Sequence, residues 1–225
     1  MRIILTLSPN MEFVPFAYYS SILGYVHKVI GENTEHDRTS LYSLGALGKG
    51  RVIDKKFLVF PKGTTWEASF YDKDFALRFL SGVHENTHFI YGMKVLKAEI
   101  EMTPRFGPNF RFFAASPVLV REYVEDGSNE HLLWNDPKTD ALLTKTFRYK
   151  LQLAGFTGAH LESFMGFDRS YSRARSKLVS IKGNKMKASE CPIIVSGTPE
   201  AVRAAYHFGA GHLTGSCFGQ LKVSL

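Results

Sequence analysis

The order of elements in this chain predicts an α+β fold of two tandem ferredoxin-like (RRM-like) units, each running strand–helix–strand–strand–helix–strand. Three observations carry that prediction. The stretch from Arg2 to Met102 presents the order once. The run Thr103-Pro104-Arg105-Phe106-Gly107-Pro108 then reads as a boundary. The second half repeats the order with an extra hairpin, although no residue-level repeat accompanies it. The expected domains are residues 1–103 and 104–225, the second ending in a glycine-rich loop.

In the first half, Arg2 to Ser8 alternates as a strand, and Phe16, Tyr19, Leu23, Val26 and Ile30 recur at helical spacing. The polar run from Gly31 to Ser40 breaks that pattern. Leu41 to Leu47 reads as a second strand. Lys55 to Pro61 and Thr65 to Tyr71 read as a third strand or a hairpin around Lys62-Gly63. Asp72 to Gly82 predicts a helix with Phe75, Leu77, Phe79 and Leu80 as its apolar side, and Phe89 to Met102 a long strand.

In the second half, Phe110 to Tyr123 reads as a strand broken at Ser116-Pro117. Asp126-Gly127 turns it back through Glu130 to Trp134. Asp136-Pro137 opens a helix reaching about Ala154, while Ser163 to Leu178 shows no clear period. Lys177 to Lys182 and Lys187 to Ser196 read as strands around Gly183-Asn184. Thr198 can cap a helix, Pro199 suits its first position, Glu200 favours its positive end and Gly209 stops it. Phe218 to Leu225 alternates as a last strand.

The chain of 225 residues is long enough for one large or two small cored domains. Its net charge of +7 points to a polyanionic partner, with an inert basic surface as the plainer alternative. Two cysteines, Cys191 and Cys217, make neither a disulfide framework nor a zinc site, and suit a reducing compartment. No apolar run is long enough to span a bilayer. The first ten residues carry too short an apolar run for a signal peptide, so a cytoplasmic location is expected.

The glycine-rich ending, Gly209-Ala210-Gly211-His212-Leu213-Thr214-Gly215-Ser216-Cys217-Phe218-Gly219, joins a helix end to a strand start. Dinucleotide and phosphate-binding loops run the opposite way, from strand to helix, so both are excluded. Two readings remain: a concave nest of backbone N–H groups that holds phosphate, or a helix-to-strand turn.

The densest basic segment holds Arg169, Arg173, Arg175, Lys177, Lys182, Lys185 and Lys187, with Phe167 and Tyr171 nearby and Asp168 the only opposing charge. Cations interleaved with aromatics suit a nucleic-acid backbone with bases stacked beside it; a solvated hairpin is the alternative. Lys49, Arg51, Lys55 and Lys56 form a weaker cluster. Among reactive groups, Tyr25, His27, His36 and Arg38 fall in or after the first helix. An imidazole can take a proton from a ribose 2′-OH or give one to a leaving oxygen, and a nearby cation can stabilise the charged transition state. A surface loop histidine is the competing reading for His36, and a packed or solvent-facing one for His27. His207 and His212 flank the glycine loop. No set of residues has metal-ligand spacing.

Gly209-Ala210-Gly211, five residues, then Cys217-Phe218-Gly219-Gln220-Leu221-Lys222-Val223 resembles the C-terminal glycine-rich motif of the CRISPR-associated endoribonucleases that cut repeat RNA into guide RNAs, within the RAMP superfamily. Cys217 stands where the first glycine of a Gly-Phe-Gly triplet is usual. The Thr198-Pro199-Glu200 helix start, the Ser116-Pro117 break and the Asp136-Pro137 helix opening fit as well. The resemblance implies two ferredoxin-like units and RNA along their shared surface, with no cofactor and no metal. It implies 2′-OH attack giving a 2′,3′-cyclic phosphate and a 5′-hydroxyl. His36 takes the place of the general base or acid, Tyr25 that of its tyrosine partner, and His27 is the reserve base. Arg38 stands where the family has lysine and keeps an electrostatic role only. RNA contacts fall to Gly209, Gly211, His212, Gly215, Gly219 and the basic segment. CRISPR repeat RNA is the expected partner, with effector-complex proteins as further partners. A non-catalytic RAMP-type subunit that holds guide RNA, and a dimeric structural protein with no RNA role, are the alternative readings.

Overall fold

A computed structural model describes residues 1–31, 39–123 and 129–224. The first half contains β1 (Arg2–Leu7), β2 (Val14–Pro15), α1 (Tyr19–Ile30), β3 (Tyr42–Leu44), β4 (Arg51–Ile53), β5 (Phe57–Val59), β6 (Thr64–Phe70), α2 (Lys73–Glu85) and β7 (Val95–Glu101). Its main sheet has the order β3-β6-β1-β7, all antiparallel. Taken with the intervening helices, this is the ferredoxin-like arrangement. Ile3, Leu5 and Leu7 of β1 alternate onto the face covered by α1 and α2, where they join Trp66, Ala68, Phe70, Ile22, Val26 and Phe79 in one core. Arg2 falls on the opposite face of the same strand.

The second half contains β8 (Asn109–Ala114), β9 (Val120–Tyr123), β10 (Asn129–Leu132), α3 (Thr139–Leu153), β11 (Phe164–Phe167), β12 (Arg175–Ile181), β13 (Asn184–Glu190), β14 (Ile193–Ser196), α4 (Pro199–Phe208) and β15 (Leu221–Lys222). The sheet order β11-β14-β8-β15 repeats that of the first half, with the β9–β10 and β12–β13 hairpins as insertions. The expectation of two ferredoxin-like units in an α+β chain is met. Phe112, Met165, Ile193, Val195, Leu143, Phe147, Ala201 and Tyr206 form the second core. Edge strand β11 is covered by α3 through side chains: Thr144 Oγ1 donates to Met165 O (3.0 Å) and Arg148 Nε to Ser163 O (2.8 Å), while Asp140 Oδ1 accepts from Phe167 N (3.0 Å). An exposed edge is thereby removed. These are tertiary bonds, which is why no period marked the stretch.

Three elements differ from the sequence reading. The expected strand Phe89 to Met102 begins only at Val95, because Tyr91 and Gly92 take positive φ (51° and 72°) and turn the chain. Phe57–Val59 pairs with β2 and β4 rather than across a Lys62-Gly63 hairpin with β6. The final strand shrinks to Leu221–Lys222, since Cys217 and Gly219 both adopt left-handed backbone (φ 64° and 60°). The expected Asp126-Gly127 turn lies outside the described residues. No described helix is long and apolar enough to cross a membrane.

Candidate nucleic-acid interface

The glycine-rich loop starts where the sequence reading places it. Thr198 Oγ1 accepts from Ala201 N (3.2 Å), and α4 runs from Pro199 to Phe208, ended by Gly209 with its φ of 72°. From there the chain folds into a compact knot. Ala210 N donates to Gly219 O (2.8 Å), Gly219 N to Pro117 O (2.8 Å), His212 N to Leu119 O (2.8 Å) and Gln220 N to Ser116 Oγ (2.9 Å). A Cβ on Gly219 would collide with the Ala210 carbonyl oxygen, and one on Gly209 would lie 2.6 Å from Gly219 O. The glycines are there because backbone meets backbone.

The knot is wedged between the two units. Thr214 Oγ1 donates to Tyr42 O (2.9 Å), Gln220 Nε2 to Ser43 O (3.3 Å) and Glu67 O (3.1 Å), and Phe218 meets Tyr19 edge-on at 6.0 Å. Gly215 lies against Ser40 and Tyr42 so closely that an added Cβ would come within 2.8 Å of the Tyr42 hydroxyl. Gly209, Gly211, Gly215 and Gly219 are all buried, and His212 is partly so. Of the two sequence readings, the structure therefore favours a structural turn over an open phosphate nest. The N–H groups of Ala210, His212, Gly219 and Gln220 are already used.

Two buried cations hold the same junction. Arg2, 2% exposed, donates from Nε to Ser69 Oγ (2.7 Å) and from its second amino nitrogen to Leu221 O. Its guanidinium lies 3.8 Å from the Tyr206 ring centre and pairs with Glu67 (3.5 Å) and Glu101 (3.8 Å). Tyr206 in turn donates its hydroxyl proton to Glu101 Oε2 (2.6 Å). Lys150 of α3, 3% exposed, donates to Phe208 O at the end of α4 (3.2 Å) and to Thr214 Oγ1 (3.0 Å). Burial pulls its ammonium down to about 7. Sequence reasoning missed both, though Lys150 sits on the apolar stripe of Leu143, Phe147 and Leu151, a readable anomaly.

The β12–β13 hairpin reaches from the second unit onto the first. Val179, Ile181 and Ala188 enter the first core, and Lys182 N donates to Ser20 Oγ on α1 (3.2 Å). The basic segment divides accordingly. Arg173, Lys182, Lys185 and Lys187 are exposed. Arg175 and Lys177 are exposed too, but pair with Glu190 (2.6 and 3.0 Å). Arg169 is a bracket: it donates to Trp134 O (3.1 Å) and Asp136 O (2.9 Å) and pairs with Asp140 (3.1 Å).

His36 and Arg38 lie outside the described residues. Ser40, two residues beyond Arg38, packs against Gly215 of the knot. Tyr25 requires a correction. It is a core side chain, 5% exposed, stacked edge-on to Phe89 at 4.5 Å, with its hydroxyl donating to Asn86 O (3.3 Å). Burial pushes its phenol well above the ordinary range, so it keeps its proton near neutrality and does not serve as a base. His27 is partly buried in the last turn of α1.

The two histidines flanking the loop stay neutral over a wide range. His207 is pushed down to about 3 by burial first, then by the amino terminus, Arg2 and Arg203. His212 is pushed down to about 4 by burial, then by Arg121 and Lys150. In the unfolded chain both take protons near 6.5, so between that value and about 4 the unfolded chain binds more protons. Stability is expected to fall as pH drops below 6.5, by up to about 1.4 kcal/mol per pH unit for each imidazole. Urea denaturation at pH 7, 6 and 5 measures this, and His212→Gln should remove one proton's share of the slope.

These features belong to a class of two-unit ferredoxin-like proteins whose carboxyl-terminal glycine knot locks the units together. Residues 97–223 match the family described as CRISPR associated protein Cas6, C-terminal. The chain belongs to the Cas6 family, a CRISPR-associated repeat RNA-processing family of the RAMP group. No curated protein matches. Several solved structures share the fold, these three among them. A Cas6-related protein from Pyrococcus furiosus has TM-score 0.88 at 17% identity, covering 100% of this chain and 98% of that one. A RAMP protein binding different RNA substrates has TM-score 0.83 at 19%, covering 100% of both chains. A Cas6 product complex has TM-score 0.65 at 14%, covering 98% of each chain.

Proposed function

We infer that this chain is an endoribonuclease that cuts CRISPR repeat transcripts into guide RNAs without a metal ion. The observation that carries the reading is the family match over residues 97–223. Fold neighbours described as binding RNA substrates or as a product complex add support, as do the exposed lysines of the β12–β13 hairpin. In the reaction, the 2′-oxygen gives up its proton and bonds to the adjacent phosphorus. The bond from phosphorus to the 5′-oxygen breaks, and that oxygen gains a proton. A 2′,3′-cyclic phosphate and a 5′-hydroxyl result. His36 serves as the proton carrier, and Arg38 stabilises the extra negative charge on the pentacovalent phosphorus. Ser40, which follows Arg38 by two residues in the chain, lies against Gly215 of the glycine knot.

Incubation of labelled repeat RNA with the protein in EDTA tests this reading. Cutting at one position with cyclic-phosphate ends is expected, and EDTA-abolished cutting would overturn the metal-free route. A non-catalytic subunit that holds guide RNA is the second reading, favoured by the burial of Tyr25; binding without any cutting would establish it.

A further inference from the structure

We propose that Arg121, His131 and Lys187 form a binding site for one RNA phosphodiester, with Tyr123 as the ledge on which the neighbouring base stacks; this rests on the RNA-binding reading above. Arg121 and His131 are directly opposed across the β9–β10 pair. Two groups able to carry positive charge are a poor choice for facing positions unless an anion joins them. Lys187 of β13 closes the third side, its backbone N–H pointing to His131 Nδ1 at 3.5 Å.

The guanidinium of Arg121 is what demands a ligand. Its Nε is buried and has no hydrogen-bond partner among the described residues. The buried Arg2 is satisfied by Ser69 and Leu221, and even the more exposed arginines find partners: Arg111 in Asp168 (2.6 Å), Arg148 in Ser163 O, Arg169 in Trp134 O and Asp136 O. A buried, unanswered charged donor is costly and rare. The surrounding field is positive as well. Burial, then Arg121 and Lys187, hold His131 below its ordinary value, and Arg121 also depresses His212, whose Nδ1 accepts from the Arg121 backbone N–H (3.3 Å). The nearest carboxylates on these strands, Glu122 and Glu130, oppose each other at the next register position. They therefore lie on the other face, where Glu122 pairs with Lys138 (3.0 Å).

The chemistry fits a phosphodiester. A guanidinium offers a planar fork to two phosphate oxygens, an ammonium adds a point charge, and an imidazole N–H donates without needing to be charged. Tyr123 lies two residues further along β9, on the same face as Arg121 and about 7 Å away along the strand. At 72% exposure its ring is open to solvent. An aromatic ring beside a phosphate site is the pairing that single-stranded RNA recognition uses. By strand alternation Lys185 shares a face with Lys187, which extends the cationic track along the hairpin.

Fluorescence anisotropy with labelled repeat RNA over a salt series tests the site, using wild type, Arg121→Gln, Lys187→Ser and Tyr123→Leu. Arg121→Gln is expected to weaken binding at least tenfold and to lower the salt slope by about one counterion. Lys187→Ser should lower the slope similarly, and Tyr123→Leu should weaken binding about fivefold or more with the slope unchanged. If the wild type binds while all three variants match it in affinity and slope, the site is wrong and the RNA reading stands. If the wild type does not bind repeat RNA at all, the reading falls and takes the site with it. Should circular dichroism show Arg121→Gln unfolded, the exposed Lys187 and Tyr123 variants decide.

Discussion

Replacement of Arg2 by alanine is expected to destabilise the protein by about 3–5 kcal/mol, the cost of removing one member of a buried charged network. The side chain links three parts of the molecule: β1 where it originates, α4 through the Tyr206 ring, and β15 through Leu221 O. Its carboxylate partners are only partly buried, with Glu67 at 33% and Glu101 at 40% exposure, so water can recover their charges. The loss therefore falls on the acceptors that water cannot reach, Ser69 Oγ and Leu221 O, and on the void left by the side chain. Arg2→Met fills much of that void and should cost about 2–3 kcal/mol, still leaving those acceptors without their donor. Urea denaturation followed by circular dichroism measures both. A loss below about 1 kcal/mol for Arg2→Ala would show that the junction holds without the Arg2 network.

The second large effect concerns the reaction. His36→Ala is expected to slow cutting of repeat RNA by on the order of a hundred- to ten-thousand-fold while leaving its binding unchanged, because a positioned proton carrier acts on the transition state. Single-turnover cleavage and anisotropy on the same RNA separate the two quantities. Wild-type cutting by His36→Ala would assign the proton transfer elsewhere, with His27 the next imidazole along the chain. His207 and His212 are weaker substitutes. Their surroundings hold them at about 3 and 4, too low for effective proton exchange near neutrality.

The sequence was most informative where a single element decides its own structure. The alternation of Ile3, Leu5 and Leu7, the Thr198-Pro199 helix start and the stop at Gly209 each follow from local rules, and the repeated element order gave the twin ferredoxin-like units. What it could not show was which groups meet across the junction. Gly219 is required by the Ala210 carbonyl and Gly211 by that of Leu119, contacts that no spacing reveals. Hence an open cradle and a packed knot looked alike. Tyr25 was read by its chemistry, yet its helical position between Ile22 and Val26 already belonged to the buried face. The opposition of Arg121 and His131 was not legible, since a turn at Asp126-Gly127 leaves the register open, and nothing local marks an arginine as lacking an acceptor.

The β12–β13 hairpin has a consequence for how the molecule is made. Val179, Ile181 and Ala188, together with Leu119, Cys217 and Phe218, complete a core whose other buried members all lie before residue 100. On a ribosome adding ~5–20 residues per second, the early half emerges with that apolar surface bare for on the order of ten seconds before its cover is synthesised. The nascent chain is in that interval a client for chaperones. A gene cut at the middle would yield two sticky fragments rather than two working pieces.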